Sequence, residues 1–148
     1  LIAEIDELIE KKNWKYSARA WKPILYLKRH FSQDDLAPFY GVADFCIVSS
    51  LHDGMNLVAK EYIGAKKDDS GCLLLSQFTG AARELTDAVI INPYAIEEFA
   101  DSIKTAIELP AEVKKRRMAA MRAVVNKNNI YKWAANIFTE LTSLKKGR

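Results

Sequence analysis

The sequence predicts an α/β fold built on a doubly wound parallel sheet, and three observations lead there. Continuous apolar runs at 44–50, 72–77 and 88–93 read as buried strands. Stretches with helical spacing separate them, and the links are only a few residues long. Right-handed crossovers between parallel strands then put helices on both faces of the sheet. Ligands in such sheets sit outside the carboxyl ends of the strands, so the loops there are where chemistry is expected.

Each element has its own justification. Ile2, Ile5, Leu8 and Ile9 recur at helical spacing and open a first helix. A looser stretch with Trp14 and Trp21 leads through Pro23 into "ILYLKRH", a β-rich run that reads as a short strand with His30 at its end. Ser32 followed by Asp34 and Asp35 starts a helix that runs to about Tyr40. "DFCIVSS" is the first buried strand, "NLVAKEYIGA" a helix, and "KKDDSG" a turn rich in breakers. "CLLLSQ" is the second buried strand, "TGAAREL" a short helix with Thr79 as N-cap, and "AVIINP" a third strand ended by Pro93. Helices over "AIEEFADSIKTAIEL", after Pro110 and over 129–148 complete the chain.

A length of 148 residues with 49% hydrophobic content suits one domain over 1–148. Residue 1 already lies within the first helical pattern, so the chain reads as a fragment of a longer protein. No run approaches the roughly 18 apolar residues of a membrane span. The N-terminus carries acids where a signal peptide carries bases, and a soluble, cytoplasmic protein with no membrane partner is expected. Residues 1–110 hold 12 Lys and Arg against 17 Asp and Glu, whereas residues 111–148 hold 10 against 2. That basic excess alternates with apolar residues at helical spacing, and its aromatics sit at core spacing and form no stacking platform, so no nucleic-acid partner is expected. Cys46 and Cys72 fall in apolar runs and read as buried free thiols. His30 and His52 are the only histidines; no metal-ligand spacing appears, and neither a metal nor a cofactor is expected.

The informative stretch is "SSLHDGMNLVAKEY", residues 49 to 62, where a strand gives way to a helix. The first backbone N–H groups of a helix lack partners and point outward with the positive end of its dipole, a seat for a phosphate or diphosphate. Gly54 lets the backbone approach a ligand and take dihedrals a side chain forbids. Glu61, a turn or so into the helix, is placed to accept hydrogen bonds from a ribose, and Asp53 to accept hydroxyls from a sugar beyond the phosphate. A simpler account competes: Asp53 caps the helix, Gly54 serves the turn and Glu61 is a surface acid.

"DGMNLVAKEY" followed by "LLLSQFTGAARELTDAVIINPY" resembles the C-terminal, donor-binding half of the trehalose-6-phosphate synthases, retaining GT-B glycosyltransferases of family 20. The upstream "WKPILYLKRHFSQDDLAPFYGVADFCIV" is similar in order and spacing. The resemblance implies a Rossmann-like nucleotide-sugar-binding domain that is half of a two-domain enzyme transferring glucose from UDP-glucose to glucose 6-phosphate. UDP-glucose enters as donor substrate, and trehalose 6-phosphate is the product. A glucosylglycerol-phosphate synthase and a non-catalytic regulatory homologue are the alternatives, and assembly into a homo-oligomer is left open.

Carried over position by position, the resemblance makes Asp53 the catalytic-site acid that binds hydroxyls of the donor glucose. The amides of Gly54, Met55 and Asn56 line the same sugar, and those of Leu57 and Val58 hold the diphosphate. Glu61 matches the carboxylate on the ribose, and Phe31 sits where backbone meets the uracil, although its ring serves core packing equally well. Lys60 reads as solvated or locally paired, and Arg83 and Glu84 as structural. His52 stands where the family usually has arginine. The acceptor site and the phosphate-clamping Arg and Lys of the family lie N-terminal to this segment, so the isolated chain is expected to be inactive in transfer.

Overall fold

The computed structural model describes residues 2–128 and, beyond them, 131, 132, 134, 135, 137–139 and 142. The chain divides into two compact units, Leu1–Ser32 and Gln33–Arg148.

In the first unit, helix α1 (Ile2–Tyr16) carries Glu4 in its first turn and Lys15 in its last, both favourable to the helix dipole. None of its residues is buried, and Trp14 is 90% exposed. A tight turn follows, in which Ala18 and Trp21 exchange backbone hydrogen bonds and Arg19 takes a φ of 55°. The strand expected over "ILYLKRH" does not form. Both backbone groups of Ile24 are taken by a side chain: Asn13 Nδ2 donates to its carbonyl and Asn13 Oδ1 accepts from its amide, each at 3.0 Å. A residue bonded in this way has no group left for a ladder.

The second unit holds the predicted sheet. Its elements are α2 (Gln33–Val42), β1 (Phe45–Val48), α3 (Leu57–Ala65), β2 (Cys72–Ser76), a 3-10 turn (Gly80–Arg83), β3 (Val89–Ile91), α4 (Ile96–Glu108) and α5 (Ala111–Lys127). The three strands are parallel in the order β1-β2-β3, with Phe45 opposite Cys72 and Leu74 opposite Val89. All five residues of the central strand β2 are buried, which is why its sequence shows no alternation.

Its side chains nevertheless alternate between two cores, because successive residues of a strand point to opposite faces. Leu73 and Leu75 pack with Val48, Ala59, Tyr62, Ile63, Met118 and Met121, the face covered by α3 and α5. Cys72 and Leu74 pack with Ile91 and Ala106, backed by Phe99 and Ile103 of α4. Burying one such leucine is worth roughly 1.5–3 kcal/mol. Helices on both faces make the sheet doubly wound, as the sequence predicts. Both cysteines are free thiols, and burial pushes Cys46 up to about 11.

Two details of this core were hidden in the polar "KKDDSG" turn. Lys66 is only 2% exposed, and its Nζ donates to the Gly41 carbonyl at 2.9 Å and to Ser70 Oγ at 3.2 Å. Gly71 has a φ of 93°, and a Cβ there would lie 2.2 Å from Tyr62 Oη. The basic α5 serves the fold in part: Arg122 pairs with Asp69 at 2.9 Å and donates to the Lys67 carbonyl. The helix expected over 129–148 falls largely outside the described residues; those described between 131 and 142 are helical.

Candidate functional site

The loops leaving β1 and β2 meet at the carboxyl edge of the sheet. The Asp53 amide donates to the Phe78 carbonyl at 3.2 Å, and the Gly80 amide donates to the Asp53 carbonyl at 2.9 Å. The approach is close enough that a Cβ on Gly80 would lie 2.0 Å from the Gly54 carbonyl oxygen. Gly80 is therefore the glycine the fold itself requires here. A Cβ on Gly54 would meet nothing within 4 Å, and Gly54 does not take a left-handed φ.

The left-handed residue of the turn is Asn56, with a φ of 62°. This corrects the expectation that Gly54 supplies the unusual dihedral: asparagine tolerates that region because its short side chain bonds locally. Asn56 also replaces Asp53 as the cap of α3, since its Oδ1 accepts from the Ala59 amide at 2.9 Å. Asp53 instead braces the turn. Its Oδ1 accepts from the amides of Met55 at 3.0 Å and Asn56 at 2.9 Å, and its Oδ2 accepts from Asn56 Nδ2 at 2.9 Å. The Asn56 carboxamide, then the Met55 amide, hold the Asp53 carboxyl below its usual value. The amides of Met55 and Asn56 are thus turned toward Asp53.

Two amides stay available at this helix end. Those of Leu57 and Val58 precede the first intrahelical bond of α3 and have no hydrogen-bond partner among the described residues. One turn further on, Glu61 lines a cleft of about 370 Å³ with Gln33, Ala37, Tyr40, Gly64, Ala65 and Lys67. Gln33 Nε2 donates to Glu61 Oε1 at 3.2 Å. Burial first, then the Glu61 charge, raises the Tyr40 hydroxyl above its ordinary value.

The remaining residues read from the sequence fall as follows. Lys60 pairs with Glu84 at 3.1 Å, and Glu84 also accepts from Asn128 Nδ2, so this pair ties α3 to the far loop. Thr79 sits at the N-cap position of the 3-10 turn but does not cap it; its hydroxyl donates back to the Ser76 carbonyl at 2.9 Å. Phe31 belongs to the first unit, where the Arg29 guanidinium lies 4.5 Å from its ring centre. Gln33 and Tyr40 escaped the sequence reading, although Gln33, Ala37 and Tyr40 recur at i, i+4 and i+7 and so share one face of α2.

Residues 1–143 match the family model for glycosyltransferase family 20. The chain belongs to glycosyltransferase family 20. Among its relatives in that family, the trehalose-6-phosphate synthase of Klebsiella pneumoniae is 41% identical over 87% of this chain and 27% of its own length. The glucosylglycerol-phosphate synthase of Picosynechococcus is 39% identical over 93% of this chain and 28% of its own. Among solved structures, one described as "Trehalose-6-phosphate from E. coli bound with UDP-2-fluoro glucose" superposes with a TM-score of 0.87 at 38% identity, over 94% of this chain and 31% of that one. This family 20 chain therefore spans less than a third of the length of the relatives it matches. No helix among its described residues is long and apolar enough to cross a membrane.

Proposed function

We propose that this chain is the UDP-glucose-binding part of a retaining glycosyltransferase that moves glucose from UDP-glucose to glucose 6-phosphate, giving trehalose 6-phosphate in a cytoplasmic enzyme. One observation carries the reading: the unpartnered amides of Leu57 and Val58 stand one helical turn ahead of Glu61 on the same helix. Four residues of α-helix rise about 6 Å, a step that suits a diphosphate on the amides with its ribose beside the carboxylate. Asp53, at the carboxyl edge of the sheet, is then the acid beyond the diphosphate, where the glucose lies. Gly54, free of any neighbour a side chain would strike, lets that sugar approach the backbone.

The chemistry assigned to these residues is binding and charge stabilisation. As UDP departs, negative charge grows on its diphosphate, and fixed N–H dipoles at a helix N-terminus stabilise it without reorganising. In the mechanism the family resemblance implies, the acceptor attacks from the face the UDP leaves and a phosphate oxygen takes its proton, so positioning does most of the work. The glucosylglycerol-phosphate synthase reading stays as the second one because the Picosynechococcus relative is matched as well as the Klebsiella synthase, at 39% identity over 93% of this chain against 41% over 87%.

Calorimetric titration with UDP tests the reading. The chain binds UDP, Glu61→Ala weakens that binding by about tenfold or more, and the 148-residue chain alone forms no trehalose 6-phosphate. A folded chain that ignores UDP overturns the proposal.

A further inference from the structure

Asp53 and Gly54 form the only Asp-Gly pair in the chain, and no Asn-Gly pair occurs. Such a pair carries its own chemistry. Glycine has no side chain to shield its amide nitrogen, and that nitrogen can close a succinimide ring on the Cγ of the aspartate before it. The nucleophile is open here. Gly54 is exposed, a Cβ on it would meet nothing within 4 Å, and its amide has no hydrogen-bond partner among the described residues.

The reaction balances without any co-reactant but water. The Gly54 nitrogen attacks Cγ of the neutral Asp53 carboxyl; the N–Cγ bond forms and a Cγ–O bond breaks. That oxygen leaves as water, carrying the carboxyl proton and the amide proton. Water then reopens the ring on either side. Cleavage at Cγ returns aspartate, whereas cleavage at the former main-chain carbonyl leaves isoaspartate, with the chain running through Cγ.

The electrophile, in contrast, is tied down. Asp53 Oδ1 accepts from the amides of Met55 at 3.0 Å and Asn56 at 2.9 Å, and its Oδ2 accepts from Asn56 Nδ2 at 2.9 Å. Ring closure needs a neutral carboxyl turned onto the next amide, and these donors favour an ionised one turned onto the two residues beyond it. The main chain is held too, because the Asp53 amide donates to the Phe78 carbonyl and its carbonyl accepts from the Gly80 amide. The lowered Asp53 carboxyl, owed first to the Asn56 carboxamide, agrees with this arrangement.

We propose that Asp53-Gly54 is a modification site at which aspartate converts to isoaspartate, and that the Asn56 carboxamide is the latch that keeps it closed. In the product the carboxylate hangs directly from Cα and the main chain is one carbon longer, so the brace to Met55 and Asn56 is lost. Isomerisation therefore dismantles the turn that opens α3.

The test is incubation of the folded chain at neutral pH and body temperature, for wild type and for Asn56→Ala, Gly54→Ala and Gly71→Ala. Isoaspartate at position 53 is read by peptide mapping and by methylation with a protein isoaspartate methyltransferase and labelled S-adenosylmethionine. Thermal unfolding confirms that each variant is folded under these conditions. Asn56→Ala should isomerise about fivefold faster than wild type or more, the weight of one lost hydrogen bond. Gly54→Ala, which places a methyl beside the nucleophile, should suppress the reaction. Gly71→Ala strains the core, since its Cβ would lie 2.2 Å from Tyr62 Oη, but it leaves the latch intact and should stay within about twofold of wild type. Asn56→Ala isomerising no faster than wild type, or Gly71→Ala matching it, overturns the latch. Folded Asn56→Ala without isoaspartate at position 53 overturns the site itself.

Discussion

Asn56 joins Asp53 to the first turn of α3 through one side chain: its Nδ2 donates to Asp53 Oδ2 and its Oδ1 accepts from the Ala59 amide, both at 2.9 Å. Asp53 and the unpartnered amides of Leu57 and Val58 are therefore fixed relative to each other by a single carboxamide. Asn56→Ala removes the cap, the clamp and a residue suited to a φ of 62°, and should destabilise the protein by about 2 kcal/mol. Asn56→Gly accepts the dihedral and should lose less. Urea unfolding with an unchanged m-value measures both.

Gly80→Ala and Gly71→Ala should each destabilise by about 1–3 kcal/mol or more, because the new methyl meets atoms that cannot easily retreat. At Gly80 the obstacle is the Gly54 carbonyl, 2.0 Å away, so the damage falls on the site. At Gly71 it is Tyr62 Oη at 2.2 Å together with a left-handed φ, so the damage falls on the core. Far-UV and near-UV circular dichroism during thermal unfolding separates a local from a global effect.

The Asp53 brace should weaken in acid. Its carboxyl is held below the usual value in the folded chain, so its contribution is present above the unfolded value, about 3.9, and is lost as pH falls through the lower folded one. Asp53→Asn should be less stable than wild type at about pH 6 and flatter in its pH dependence toward about pH 3. A wild-type profile no steeper than that of the variant contradicts the assignment.

The Lys60–Glu84 pair, at 3.1 Å and partly exposed, should contribute little. A double-mutant cycle with Lys60→Met and Glu84→Gln should return a coupling below about 1 kcal/mol, which leaves α3 held mainly by Ala59, Tyr62 and Ile63 in the core.

The sheet and its helices were legible because their signals are local. Three continuous apolar runs became β1, β2 and β3, and the strand-to-helix turn fell where "DGMN" predicts it. The interior of that turn was not legible. Asp53 and Asn56 are both good cap residues three positions apart, and only the backbone dihedral at Asn56 decides between them. Gly80 opens the short helix that the sequence predicts, but its close approach to Gly54 is invisible there because Gly54 lies 26 residues earlier. Lys66 lies in a turn rich in breakers, and nothing local shows that its amine reaches the Gly41 carbonyl. "ILYLKRH" misled for the opposite reason: its β propensity is local, whereas a strand needs a partner edge, and Asn13 had already taken the backbone of Ile24.

In the proposed function, a uridine diphosphate lies along the start of α3 with its phosphates on the Leu57 and Val58 amides. Amide-resolved NMR on adding UDP tests it most directly. The N–H signals of Leu57 and Val58 should shift most and in the direction of stronger hydrogen bonding, while those of Met55 and Asn56, already bonded to Asp53, move little. Saturable UDP binding that leaves the Leu57 and Val58 signals unmoved would contradict it.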